Sequence, residues 1–64
     1  MELKSGGTVL IINGLNTGIS ANIIRVSWKN YNLFEVCTLK NSIWLLCSKK
    51  ELAPYSETLE LLLT

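Results

Sequence analysis

This chain of 64 residues has thiol and hydroxyl side chains that could act as nucleophiles. They are two cysteines and several serines and threonines spread along the sequence. Cys37 and Cys47 could form a disulfide or supply two metal ligands. A structural zinc site uses four cysteine or histidine ligands, and the chain has no histidine. Its hydroxyl side chains therefore lack the base that most often activates them, and its five glutamates are scattered rather than paired. We expect no enzymatic activity, no metal and no other cofactor.

Aromatic and basic side chains suit binding better than catalysis. Trp28, Lys29 and Tyr31 are close in sequence, and a second tryptophan stands at position 44. Rings that stack, together with a few cations, are common at binding surfaces. The alternative is structural, with Trp28 closing one end of the core and Trp44 packing under the leucine-rich tail. The residues predicted to contact a ligand or partner are Trp44, Trp28, Tyr31, Lys29 and Asn16.

Short runs of alternating apolar residues, spaced about ten residues apart and joined by tight turns, predict a small antiparallel barrel of four or five strands. The predicted strands are residues 8–13, 22–28, 33–39 and 43–47. Residues 48–55 read as a polar turn that returns Leu52 to the core, because Pro54 has no N–H for a strand interior. For residues 56–64, alternate leucines favour a fifth, closing strand. The spacing of Leu59, Leu62 and Leu63 fits a helix instead.

The hairpin of the third and fourth strands fixes where both cysteines point. A register that keeps Val36 and Leu45 on one face pairs odd with even positions. Cys37 and Cys47 then lie on opposite faces. We therefore expect two free thiols, as in a reducing compartment.

Strict alternation also assigns faces to other side chains. Trp44 alternates with inward side chains, so we expect it to face outward beside Cys37 or Leu39. In the second strand, one face carries Ile24, Val26 and Trp28, and the other carries Ile23, Arg25 and Ser27.

The stretch "KSGGTVLIINGLNTGISANI", residues 4–23, resembles the KOW motif of SH3-like barrels. That motif begins Lys-x-Gly-Asp, continues as a Val-x-Val-Ile-x-Gly strand, and places further glycines four and seven residues later. Gly7 stands here where the motif has aspartate, and Ala21 where it has its last glycine. The resemblance implies a single domain, residues 1–64, folded as a small SH3-like antiparallel β-barrel of about five short strands. The matching positions are Lys4, Gly6, Val9, Ile11, Ile12, Gly14, Gly18 and Ile23.

Composition favours a binding protein. Hydrophobic residues make up 48% of the chain, which is more than so small a core can bury. We therefore expect a non-catalytic binding module that contacts a protein partner or a second copy of itself, as a homodimer or larger assembly. By analogy with other tiny barrels, this would be a small bacterial or phage inhibitor or adaptor. We expect it in the cytoplasm and not in a membrane.

Two alternatives remain from the sequence. KOW-bearing barrels often contact RNA, ribosomes or transcription complexes, although a net charge of +1 is small for a nucleic-acid-binding protein. The other alternative is an oligomer that sequesters a nucleotide between its subunits. The cations that would contact nucleic-acid phosphates are Arg25, Lys29, Lys40, Lys49 and Lys50.

Overall fold

Antiparallel strands dominate the part of the protein that the computed structural model describes, residues 3–26 and 32–64. These residues form β1 (Thr8–Ile11), β2 (Ser20–Val26), β3 (Leu33–Thr38), β4 (Trp44–Ser48), a 3₁₀ turn (Lys49–Glu51), β5 (Leu52–Pro54) and α1 (Glu57–Leu63). The strands pair in the order β4-β3-β2-β1-β5, and the sheet is not closed. The predicted all-β domain of about five short antiparallel strands is confirmed.

Strand ends differ from the predicted ones by one or two residues. β1 ends at Ile11 rather than at residue 13, and β3 ends at Thr38 rather than at residue 39. β4 begins and ends one residue later than predicted. β2 begins two residues earlier, and the predicted end of that strand lies outside the described residues. The first four predicted strands are all present.

The hydrophobic core lies on the inner face of the sheet. Every strand contributes at least one buried side chain to it: Val9, Ile11, Ala21, Ile23, Phe34, Val36, Cys47 and Leu52. Leu10 is also fully buried, although it alternates with Val9 and Ile11. Both faces of β1 are therefore covered, as its unbroken apolar run predicted. Burial of each large side chain contributes about 1.5–3 kcal/mol to folding.

Glycine shapes the loop between β1 and β2. Gly14 and Gly18 have φ values of +94° and +93°, in the left-handed region that glycine reaches without steric cost. The Gly18 N–H donates to the Ile11 carbonyl at 2.7 Å, and the Thr17 hydroxyl donates to the Gly14 carbonyl at 2.7 Å. Residues 14–18 thus form a tight turn between the two strands.

A β-bulge in β2 corrects the predicted faces of that strand. Ile23 pairs with Val36, but the next pair joins Arg25 to Glu35, so Ile24 has no partner of its own. The extra residue resets the alternation. Ile23 is buried and Val26 packs against the same core, whereas Ile24 is exposed. The prediction that Ile24 and Val26 share a face is wrong.

The β3–β4 hairpin follows its predicted register. Val36 lies opposite Leu45, and Cys37 lies opposite Trp44. The turn at residues 39–42 is closed by the Thr38 N–H, which donates to the Ile43 carbonyl at 2.9 Å. Thr38 itself is buried, and its hydroxyl oxygen accepts from the Ile43 N–H at 3.0 Å. This bond satisfies the polar atom that the inner face would otherwise leave unpaired.

The end of the chain differs from its prediction. Leu52 does return to the core, but residues 52–54 form β5 beside β1, with Pro54 opposite Val9. Residues 57–63 form α1 rather than a closing strand. Its N-cap is Ser56, whose hydroxyl oxygen accepts from the Leu59 N–H at 3.3 Å. Pro54 is tolerated because β5 is an edge strand, which leaves its missing N–H outside the ladder.

Candidate binding surface

Two large apolar side chains lie exposed on the outer face of β4. Trp44 and Leu46 alternate with the inward Leu45 and Cys47, and the two residues are 63% and 60% exposed. We call this pair the β4 strip. The outward direction predicted for Trp44 is confirmed, since Trp44 lies opposite Cys37 and is not packed under the tail.

An ion pair borders the β4 strip. Glu35 lies opposite Leu46 on one side and opposite Arg25 on the other. The Arg25 Nε donates to the Glu35 carboxylate, which raises the pKa of Arg25 through that hydrogen bond and the charge attraction. An apolar patch with a charged border is the usual arrangement of a protein-binding surface.

A shallow pocket of about 400 Å³ occupies this part of the outer face. The described residues that line it are Glu35, Trp44, Leu45 and Leu46. The Trp44 ring and the Leu46 side chain, which both face outward, offer apolar contact area, and the Glu35 carboxylate offers a hydrogen-bond acceptor. The pocket could therefore hold an apolar side chain whose neighbour donates a hydrogen bond.

The backbone of β4 is open along its outer edge. Ile43 and Lys49 bond to the β3 side, through the Ile43 carbonyl and the Lys49 N–H. Because antiparallel bonding alternates along a strand, Leu45 and Cys47 also bond to β3. Trp44, Leu46 and Ser48 then direct their backbone groups away from the sheet. Of these groups, the Ser48 N–H donates to Glu51 Oε1 at 2.9 Å. No strand among the described residues pairs with the outward backbone groups of Trp44 and Leu46.

The remaining residues of the predicted partner-binding set are not gathered around Trp44. Trp28, Lys29 and Tyr31 lie outside the described residues. Asn16 lies half-buried in the β1–β2 loop, where its carbonyl accepts from the Ile19 N–H at 3.2 Å. It does not line the pocket beside the β4 strip.

The predicted phosphate-binding cations are separated by the length of β4. Lys40 is exposed in the hairpin turn that precedes the strand, and Lys49 and Lys50 lie in the 3₁₀ turn that follows it. Arg25 is engaged by Glu35. Lys49 and Lys50, with Asn32 and Ser48, line a second pocket of about 640 Å³. Of the four predicted phosphate-binding cations that lie in the described residues, the structure thus brings only Lys49 and Lys50 together.

Both cysteines are free thiols on opposite faces of the hairpin, as predicted. Cys47 is buried, and burial, with a smaller contribution from the Glu51 charge, raises the pKa of its thiol. Cys37 is half-buried on the outer face. Within residues 3–26 and 32–64, no group of three acidic or cysteine side chains is placed to hold a metal ion.

Leu46 is the surface residue that the sequence reasoning missed. The signal was present, because Leu46 alternates with Leu45 and Cys47 in the same way as Trp44. The predicted contact residues on this strand included only the aromatic Trp44, although the aliphatic Leu46 is nearly as exposed.

The one α-helix within residues 3–26 and 32–64 has seven residues, so this part of the chain holds no helical transmembrane span. Comparison with known proteins assigns no relative: no protein-family model, curated protein or solved structure matches the chain.

Proposed function

We propose that this protein is a non-catalytic binding module whose contact surface is the β4 strip. The observation that carries the proposal is the exposure of Trp44 and Leu46 side by side on the outer face, above a pocket and next to an ion pair. Contact with an apolar segment of another protein would remove both side chains from water. The module would act by covering a partner's surface, as an inhibitor or adaptor.

The energetic argument rests on tryptophan. A tryptophan in the centre of an interface commonly contributes 2 kcal/mol or more, about thirtyfold in affinity, when it is enclosed by neighbours that exclude water. Leu46 and Glu35 line the same pocket as Trp44 and are placed to form part of that enclosure. The segment recognised would present apolar side chains towards Trp44 and a hydrogen-bond donor towards Glu35.

A displayed library of random linear peptides tests this proposal. Peptides selected on the intact protein should bind the Trp44→Ala variant at least tenfold more weakly. The matched control is Leu61→Ala, which truncates an exposed leucine on α1 and should leave the affinity unchanged. Selected peptides that bind Trp44→Ala as tightly as the original protein would contradict the proposed surface.

The proposed family remains the SH3-like barrels with a KOW motif. The left-handed glycines at positions 14 and 18 support it, because the motif places glycines at this loop. The position of β5 beside β1 also supports it, since pairing of the last strand with the first is one of the strand pairs of a five-stranded barrel, although β4 and β5 remain the two edges of this open sheet. Two free cysteines are consistent with the proposed cytoplasmic location.

Nucleic-acid binding is the second candidate function, favoured by the pocket that Lys49 and Lys50 line. Two neighbouring cations can contact adjacent phosphates. Labelled single-stranded RNA should then bind at low salt, lose affinity as salt rises, and bind Lys49→Gln/Lys50→Gln more weakly. Failure to bind RNA at low salt would remove this candidate. A nucleotide-sequestering oligomer would instead show a rise in Tm with added nucleotide.

A further inference from the structure

The two edges of the sheet differ in what they offer another strand. At the β5 edge, pairing with β1 uses the backbone groups of residues 51, 53 and 55, so the backbone groups of Leu52 and Pro54 point away from the sheet. The Leu52 N–H already donates to the Lys49 carbonyl, and Pro54 has no N–H. β5 therefore offers no free N–H donor, which is a common protection of edge strands.

The β4 edge has no such protection. Trp44 and Leu46 direct both N–H and C=O outward, and the strand Trp-Leu-Leu-Cys-Ser carries no charge and no proline. Natural edge strands are usually shielded by charged residues, proline or a bulge. The described residues provide none of these between positions 44 and 48. The Glu51 carboxylate limits the open stretch by occupying the Ser48 N–H.

We propose that β4 pairs with β4 of a second copy of this chain, antiparallel and about a two-fold axis at Leu45. In this register Trp44 of each copy exchanges two backbone hydrogen bonds with Leu46 of the other. Four inter-chain hydrogen bonds result, and every outward backbone group of Trp44 and Leu46 is satisfied. The two sheets become one sheet of ten strands.

The side chains on both faces agree with this register. On the outer face, each Trp44 lies across from Leu46 of the second copy. On the inner face, Leu45 lies across from its own equivalent, and Ile43, which is 48% exposed in the single chain, lies across from Cys47. Between positions 43 and 47 every facing pair is apolar and uncharged.

The difference between the edges also sets the size of the assembly. A head-to-tail contact of β4 with β5 would find no N–H donor on β5, so a growing ribbon is disfavoured. Pairing of β4 with β4 uses the same surface on both copies and closes at two. The inference goes beyond the proposed binding function, because it concerns the strand edge and leaves the outer face open. The dimer would also place the two β4 strips side by side on one outer face.

Sedimentation equilibrium on the full chain tests the proposal. Protein concentrations from about 1 µM to about 1 mM cover the range of dissociation constants typical of weak interfaces. The mass should rise from 7.2 kDa to twice that value and stop there. Leu46→Pro removes an N–H that faces outward, so it should remain at 7.2 kDa with the sheet intact. Leu46→Ala keeps that N–H and should still dimerise, although more weakly.

A second variant covers the case in which Leu46→Pro does not fold. Leu46→Lys changes a solvent-exposed position and should weaken dimerisation at least tenfold, whereas Leu61→Lys on α1 should not. A protein that stays monomeric throughout, a mass that keeps growing beyond the dimer, or dimers unaffected by both Leu46→Pro and Leu46→Lys would each overturn the proposal. The peptide-binding test is kept separate by running it on monomeric protein, at concentrations below those at which the mass rises, so that Trp44→Ala reports on the ring and not on the dimer.

Discussion

Glu51 holds Ser48 by two hydrogen bonds at the point where β4 ends. Glu51 Oε1 accepts from the Ser48 N–H at 2.9 Å and from the Ser48 hydroxyl at 3.0 Å. These bonds fasten the 3₁₀ turn that leads from β4 to β5. They also occupy the last outward N–H of β4, so the open edge is confined to Trp44 and Leu46.

Acid should loosen this connection. The hydrogen bonds from Ser48 lower the pKa of Glu51 below its ordinary value of 4.5. A lowered pKa in the folded state means that the bonds stabilise the fold above pH 4.5, and that this contribution is lost as the pH falls through the lowered value. Thermal melts between pH 7 and pH 3 should show Tm falling at the acid end.

The matched variant for the acid prediction is Glu51→Gln, which should flatten that part of the Tm profile. Glu57→Gln, on α1, should leave the fall in place. An acid-end profile that Glu51→Gln does not change would show that the fall has another origin.

The bulge in β2 predicts unequal costs for the same substitution at neighbouring positions. Ile23→Val removes a buried methylene group and should cost about 0.5–1.5 kcal/mol in the free energy of unfolding. Ile24→Val removes the same group from an exposed side chain and should cost less. Urea titration of both variants measures the difference, and a larger cost at Ile24 would contradict the bulge.

Removal of α1 should leave the sheet folded. The helix contributes no fully buried residue, and β5 ends at Pro54, before the helix begins. A chain that ends at Tyr55 should therefore keep the β-sheet circular dichroism spectrum and a cooperative melt, with a lower Tm because the partly covered Leu59 and Leu63 are lost. Complete unfolding of the shortened chain would show that α1 has the closing role first assigned to a strand.

The two thiols should react at different rates. Cys47 is buried and has a raised thiol pKa, so a maleimide should reach it only when the protein unfolds. Cys37 is half-buried on the outer face and should react first. Mass spectrometry should show one modification in buffer and two in denaturant, and rapid double modification in buffer would contradict the placement of Cys47.

The β3–β4 hairpin was predictable because its alternation is clean. Phe34, Val36 and Thr38 share one face, and a turn of suitable composition follows the strand. The register, the opposite faces of the cysteines and the outward direction of Trp44 all derive from that period of two. The bulge in β2 could not be predicted in the same way. Ile23 and Ile24 are adjacent and identical, so the sequence does not indicate which of them is buried.

The tail could not be assigned from leucine spacing alone. Leu59, Leu61 and Leu63 fit a strand, while Leu59, Leu62 and Leu63 fit a helix. The deciding feature is local, namely the Ser56 N-cap after a proline, which favours the start of a helix. The open backbone edge of β4 also could not be predicted from the sequence, because it depends on the order of the strands in the sheet and on the Ser48–Glu51 hydrogen bonds.

The measurement that tests this account most directly is residue-resolved amide hydrogen exchange along β4. In dilute solution the Leu45 and Cys47 amides should exchange slowly, because they bond to β3, while the Trp44 and Leu46 amides exchange fast. Raising the protein concentration should slow Trp44 and Leu46 selectively. Protection of Trp44 and Leu46 that is independent of concentration, or fast exchange of both at every concentration, would contradict pairing between copies through an open β4 edge.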